Sequence, residues 1–471
     1  MHHIEQVYIN GEFVTPHGTE RFDLYNPATA RVIGQVRLAD AVDGERAIAA
    51  ARAAFPAWSK TTKQMRIAAL QRMQAAVAAR HDDLLEAVVE EYGAPASRSA
   101  WMASYPAEVI AQAIAALEAF EFTTVAGAAR VEMTPLGVAG LITPWNSDAG
   151  FICGKLAAAL AAGCTAVIKP SEMSALQTQI VTEALHAADL PPGVFSIVTG
   201  RGDTVGETIS RHPHVAKISF TGSTRTGKAI LRNAAENFTR VTLELGGKSP
   251  TLILDDADIK QAIPLAVQAG LMNSGQACVA GTRILVPQSR KAEFEQALAL
   301  AVAAVVSGDP RDAKTVVGPM VSERQWQRVQ GYIQKGLAEG ARLLAGGVGR
   351  PEGTRDGWFV RPTLFTDVHN QMAIARDEIF GPVLCVIAYR DEAEAIAIAN
   401  DTDYGLSALV LGGDSGRARR VAQQIQAGRV LVNTLTHEPK APFGGFKHSG
   451  VGREMGAWGI SAFMEPKSIL S

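Results

Sequence analysis

Residues 136–172 read LGVAGLITPWNSDAGFICGKLAAALAAGCTAVIKPSE. A short apolar run, LGVAGLITPWN, gives way to the small-residue helical pattern AGFICGKLAAALAAG and then to a second apolar run, TAVIKPSE. Strand, helix and strand at this spacing predict a parallel sheet with helical crossovers. The alternation continues through a helix near 175–189, GVFSIVTG, a short helix and VAKISFTGS. A second series follows in SPTLILDD, TRILVP, PVLCVIAY, LSALVLGG and RVLVN, with helices between, one of them near 290–306. The fold class is therefore α/β, with two sheets in succession. The first 120 residues, in stretches such as DGERAIAAARAAFPAW, read mostly as amphipathic helix and are expected to cover the first sheet. The segment LLAGGVGRPEGTRDGWF, 343–359, reads as an exposed loop, and no repeat is apparent.

At 471 residues the chain exceeds what a single core usually serves, so two or more domains are expected. A formal net charge of −2, with no run of five like charges, argues against a nucleic-acid partner and points to a small molecule. The amino terminus MHHIEQVYINGEFVTPHG lacks the apolar centre of a signal peptide. No stretch reaches the roughly 18 apolar residues of a membrane span, so a soluble, cytoplasmic protein with no membrane partner is expected. Cys153, Cys164, Cys278 and Cys385 show no metal-ligand or disulfide spacing, and no metal is expected.

No GxGxxG fingerprint is present; GRGDTVG, 200–206, approaches one but has one residue too many. FTGSTRTGKAI is better placed, because a strand pattern leads into Gly222 and Ser223 and then a helix. Ser223 there suits either a phosphate contact or an ordinary N-cap. Lys169 and Glu172, in VIKPSE, stand at the end of a strand where ribose hydroxyls are commonly held, or where loop charges simply face water. Cys278 differs from the other cysteines, which sit among apolar residues, by following Asn273, Ser274, Gly275 and Gln276. Backbone donors there would depress its pKa and favour a nucleophilic thiolate; an inert buried thiol is the alternative. Glu244 in VTLELGGKSP is a carboxylate inside an apolar run, suited to a raised pKa and general-base work, or else to an exposed edge position. Asn146 suits an oxyanion donor or a turn residue.

Taken together, TPWN, KPSE, FTGSTRTG, LELGGKSP, GQAC, EIFGPV and PFGGFKHSGVGRE resemble the NAD(P)-dependent aldehyde dehydrogenase superfamily, in its order and spacing, from NPAT at 26–29 to EPKS at 465–468. The resemblance implies a Rossmann-like cofactor domain (1–116 and 136–246), an α/β catalytic domain (247–447) and a small β-flap for oligomerisation (117–135 and 460–471). It implies a homodimer or homotetramer. Cys278 matches the nucleophile, Asn146 with the backbone N–H of Cys278 the oxyanion hole, and Glu244 the base for thioester hydrolysis. Lys155 and Glu454 fall where some members run a proton relay. Lys169, Ser171 and Glu172 match adenosine-ribose contacts, Trp145 a neighbour of these, Gly222 and Ser223 pyrophosphate contacts, and Leu245 a further cofactor contact. Glu378 and Phe380 match residues at the nicotinamide ribose. NAD is the implied cofactor, because Glu172 would repel a 2′-phosphate, with NADP open through Lys169.

Hydrolytic aldehyde oxidation is the implied activity, since members that pass the acyl group to coenzyme A typically lack the glutamate seen here as Glu244. A non-catalytic binding protein of the same family is the alternative from another class. The chain departs from the family after TPWN, where Ser147, Asp148, Ala149 and Gly150 replace the aromatic residue and proline of many members. Gly154 stands where several carry a bulky aromatic. These small side chains predict a wider tunnel and a larger or more polar aldehyde. His437 and Lys440 are candidates to meet an acidic substrate, or are solvent-exposed loop residues.

Overall fold

The computed structural model describes residues 1–354 and 356–470; Arg355, in the predicted loop, and Ser471, at the end of the predicted flap, lie outside them. The opening stretch forms a strand, Val138–Ile142, a helix, Asp148–Ala162, and a parallel strand, Thr165–Lys169. The helix is mostly apolar because it is mostly buried, with Ile152, Leu156 and Leu160 fully enclosed and the face of Phe151, Gly154 and Ala158 lining a cavity. Each such side chain contributes about 1.5–3 kcal/mol of burial. Gly163 ends the helix in the left-handed region (φ 91°). The Arg66 guanidinium donates to the Ala161 carbonyl at 3.2 Å and fills the space that a Cβ at Gly163 would need.

An eight-stranded sheet grows from these two strands. Its central strands lie parallel in the order Arg240–Glu244, Val215–Thr221, Val138–Ile142, Thr165–Lys169, Phe195–Ile197. The chain builds outward on one side of Val138–Ile142 and then returns to the other side. That reversal opens a crevice at the carboxyl ends of the strands, where ligands bind in open α/β sheets. A seven-stranded sheet follows, running from Arg342–Ala345 through Thr363–Thr366, Val383–Tyr389, Arg283–Pro287, Pro250–Ile253 and Ser407–Leu411 to Arg429–Val432; all but the first pairing are parallel. Thr123–Ala126, Ala129–Pro135 and Met464–Leu470 form a separate antiparallel sheet.

The helices Lys63–Ala78 and Ala96–Ala119 pack over Asp148–Ala162 as the helical cover. The first 37 residues differ from the helical expectation. They hold short strands, of which Val7–Ile9 and Glu12–Val14 extend the eight-stranded sheet antiparallel. Asn10 and Gly11 both take positive φ between them, the hairpin turn that an Asn-Gly pair favours. Three-residue strands are too short for an alternation signal. Among the described residues, no helix is long and apolar enough to cross a membrane.

Candidate active site

Four parallel strands of the first sheet end on the same crevice, and each end carries predicted site residues. Val138–Ile142 runs into Trp145 and Asn146, Thr165–Lys169 into Ser171 and Glu172, Val215–Thr221 into Gly222 and Ser223, and Arg240–Glu244 into Leu245. The second sheet supplies the facing wall through Cys278, Glu378 and Phe380. The result is a cleft of about 1380 Å³, which brings Trp145, Asn146, Glu172 and Ser223 together with Cys278 and Glu378. Lys169 and Ser171 lie buried behind Glu172. Lys155 lies outside the cleft, on a second cavity of about 100 Å³.

Cys278 follows a backbone run in which Asn273, Ser274 and Gly275 all take positive φ. Asn273 and Asn146 hold the approach to the thiol. The Asn273 Nδ2 donates to the Asn146 carbonyl at 3.1 Å, and the Asn146 Nδ2 donates to the Gln276 carbonyl at 3.0 Å. An amide NH2 has two hydrogens, so one remains for a ligand. Gln276 itself is buried, accepting from the Val321 N–H at 3.0 Å and donating to Tyr92 and the Pro319 carbonyl. The double glycine of LELGGKSP has a steric reason: a Cβ at Gly246 would lie 2.5 Å from Glu378 Oε2, and one at Gly247 would lie 2.3 Å from the Cys278 carbonyl. Only bare backbone passes between them.

The thiol does not have the depressed pKa expected from its local sequence. Burial pushes it up to about 12, and the carboxylates of Glu378 and Glu244 push in the same direction, against a downward pull from Arg429. Local backbone donors are outweighed by desolvation. Glu244 is buried rather than edge-exposed, because Gly450–Val451 pairs beside it. Burial, with Glu454 second, raises its pKa well above the usual carboxylate range, and neither carboxyl oxygen has a hydrogen-bond partner. Behind it, the Lys155 Nζ donates to Glu454 at 2.5 Å and to the Ser219 Oγ at 2.9 Å, and Ser219 donates to Glu454 at 2.8 Å.

On the other wall, Glu378 accepts from the Gly247 N–H at 2.9 Å, while burial raises its pKa to about 7. The Phe380 ring meets Trp145 edge-on at 5.4 Å. Glu172 is gripped by Lys169 at 3.3 Å and by Arg201 at 3.2 Å. These charges hold its pKa down despite its burial. Arg201 belongs to the GRGDTVG stretch, whose sequence suggested backbone contacts and not this side chain. Ser223 caps the helix Thr224–Ala235, accepting from the Thr226 N–H at 3.2 Å, and its hydroxyl also faces the cleft.

The small residues after TPWN do not simply widen the site. Asp148 braces the loop, accepting from Thr143 at 2.7 Å and Thr178 at 2.8 Å. A Cβ at Gly150 would lie 2.6 Å from the Tyr105 ring, and one at Gly154 would be in ordinary contact with Val109 at 3.6 Å. Tyr105 and Val109, on the helix Ala96–Ala119, line the cavity of about 100 Å³ together with both glycines. His437 is half-buried, with its Nε2 3.2 Å from the Met455 sulfur, whereas Lys440 is exposed.

The crevice, the cysteine and the carboxylates coincide with wider likeness. The aldehyde dehydrogenase family model matches residues 13–469. A 3-succinoylsemialdehyde-pyridine dehydrogenase from a Pseudomonas species is 43% identical over 472 residues, covering 100% of this chain and 99% of its own. The crystal structure of a mutant aldehyde dehydrogenase C from Pseudomonas syringae, in complex with NAD+ and octanal, superposes with a TM-score of 0.97 at 44% identity, covering 99% of this chain and 96% of that one. A Mycobacterium tuberculosis aldehyde dehydrogenase complexed with NAD+ gives 0.96 at 39% identity, over 100% and 98% of the two chains. With a model spanning nearly its whole length and such relatives aligned end to end, the chain belongs to the aldehyde dehydrogenase family.

Proposed function

We propose that this enzyme oxidises an aldehyde to its carboxylic acid with NAD, through a covalent thioester on Cys278. The observation that carries the reading is the convergence of Cys278, Asn146 and Glu378 on one cleft, with Glu244 close enough for its charge to act on the thiol. The cleft fits a dinucleotide. A helix N-terminus with Ser223 faces the phosphate position, Glu172 with Lys169 suits ribose hydroxyls, and Gly246 leaves the Glu378 carboxylate uncovered by any side chain at that position. Trp145, Ser171, Gly222, Leu245 and Phe380 complete the proposed cofactor contacts.

Bound NAD supplies the hydride acceptor. Because burial holds the thiol protonated at rest, attack on the carbonyl carbon requires its proton to pass to water in the cleft that Cys278 lines. Sγ then forms the new C–S bond, while the free hydrogen of the Asn146 Nδ2 and the Cys278 N–H hold the developing oxyanion. After oxidation, Glu244 takes a proton from water, which attacks the thioester and releases the acid. Lys155, Ser219 and Glu454 offer the onward path for that proton. Glu172, kept ionised by its two cations, favours a ribose 2′-hydroxyl over a 2′-phosphate, so NAD is preferred over NADP. The antiparallel sheet Thr123–Ala126, Ala129–Pro135 and Met464–Leu470 is the proposed surface for a homodimer or homotetramer.

The test is to follow cofactor reduction and acid formation across an aldehyde panel, with and without coenzyme A. Acid release independent of coenzyme A supports the reading. Cofactor binding with no reduction for any aldehyde would favour a non-catalytic role.

A further inference from the structure

Arg429 opens the last strand of the seven-stranded sheet, opposite Ser407 in register. Its Nε donates to the Ser407 Oγ at 3.2 Å, and its guanidinium lies over the Phe443 ring at 5.8 Å. On one side it lines a small cavity with Val279, the residue after Cys278, and with Met272 and Leu435. On the other, Phe443 lines the roughly 100 Å³ cavity that also touches Tyr105, Gly150 and Lys155. None of these residues lines the cofactor cleft. Arg429 therefore stands off the cofactor cleft, beside the residue that follows Cys278.

Two other buried arginines are held through several nitrogens, whereas Arg98, stacked over Trp101, leaves its buried Nε without a partner. Arg283 donates to the carbonyls of Lys248, Ile398 and Ala399 and to the Asn370 side chain, and Arg66 to Thr61, Ala161 and Ser59. Arg429 engages only Nε. Among the described residues no carboxylate lies within ion-pair distance of it, and its terminal nitrogens donate to none of them. A partly desolvated guanidinium between aromatic walls is costly until an anion joins it.

We propose that Arg429 sets substrate specificity by holding the distal carboxylate of a short acidic semialdehyde while its aldehyde carbon rests at Cys278. The proposal builds on the reading of Cys278 as the nucleophile. Arg429 is close enough for its charge to act on Cys278, Tyr105 and His437, pulling the first two down and adding to the lowering of the third. A carboxylate placed among them meets one uncompensated cation and no neighbouring carboxylate in contact with it. A planar, bidentate pair is the geometry an arginine offers there.

The experiment compares succinate and glutarate semialdehydes with butanal and pentanal in the native enzyme, Arg429→Lys and Arg429→Gln. Arg429→Gln should lower kcat/KM for the acidic substrates about 10- to 100-fold, chiefly through KM, and change the neutral aldehydes less than about threefold. Arg429→Lys should retain part of the acidic preference. In the native enzyme, glutarate should inhibit butanal oxidation competitively and glutaramide should not, a readout that needs no variant to fold. Equal losses on both substrate classes, with the pH dependence of Cys278 alkylation displaced, would make Arg429 a support for the thiolate and overturn the proposal. Absence of glutarate inhibition would overturn it too. Neutral-aldehyde turnover stands apart from either result, so aldehyde oxidation itself survives a failure of the specificity claim.

Discussion

The two sides of Cys278 treat charge in opposite ways. In the cofactor cleft, two carboxylates already have partners: Glu172 holds Lys169 and Arg201, and Glu378 accepts from the Gly247 N–H. On the other side Lys155 and Glu454 are paired, but both oxygens of Glu244 and the Nδ1 of His437 are buried without partners, and among the described residues no carboxylate pairs with Arg429. A satisfied network fixes a geometry and suits repeated binding of one cofactor. Unsatisfied buried groups stay poised to exchange protons or to grip a charge that arrives with the substrate. Under the proposed function, cofactor binding falls to one wall and chemistry to the other.

Removing the thiol tests that division most severely. Cys278→Ala should lower aldehyde oxidation by at least about 10⁴-fold, the scale on which loss of a nucleophile is felt. Calorimetry should find NAD affinity within about threefold of native, because the cleft keeps its charge partners; full turnover by the variant would remove the mechanism. Glu244→Gln should come next, with deacylation slowed about 10²- to 10⁴-fold. A burst of cofactor reduction near one equivalent should precede slow turnover, and intact-mass measurement should detect the acylated cysteine. No burst and no adduct would place Glu244 before acylation instead.

The sheets were legible because strands such as TAVIKPSE and PVLCVIAY are continuous apolar runs separated by helical patterns, a signal that survives without tertiary context. The same alternation placed Trp145, Glu172 and Ser223 at strand ends. The Cys278 pKa was not legible, since local donors suggest a low value while burial and two carboxylates brought from 244 and 378 decide it. The surroundings of Gly150 and Gly154 are illegible for a similar reason: they face Tyr105 and Val109, on a helix about 45 residues earlier in the chain. Arg201 and Arg429 carry no motif at all. Their roles come from neighbours that only the fold supplies.

The cofactor wall can be sharpened at Glu172. Replacing it with Gln removes the carboxylate between Lys169 and Arg201, leaving Lys169 without that partner and Arg201 paired with Glu20 where a 2′-phosphate would lie. The ratio of kcat/KM for NAD to that for NADP should fall about 10-fold, the scale of a single charge-assisted contact. The KM for aldehyde should stay unchanged. An unaltered cofactor ratio would mean that Glu172 acts through structure alone, and the preference would have to come from elsewhere in the cleft.

The smallest expected effect concerns the packing that closes the substrate side. Gly150 lies in the helix that follows Asn146, and a methyl group there meets the Tyr105 ring at 2.6 Å. Tyr105 is stacked on Trp101 with ring centroids 4.3 Å apart, so it cannot withdraw without breaking that pair. Gly150→Ala should therefore destabilise the fold by about 1–3 kcal/mol, the usual cost of overpacking, despite the gain in helix propensity. Combining it with Tyr105→Phe should not restore stability, because the clash is with ring carbons, whereas Tyr105→Leu should recover part of it. A thermal midpoint equal to native for Gly150→Ala alone would show that the ring is free to move. In that case the glycine would have widened the substrate side after all, and bulky aldehydes should be turned over at least as well as butanal.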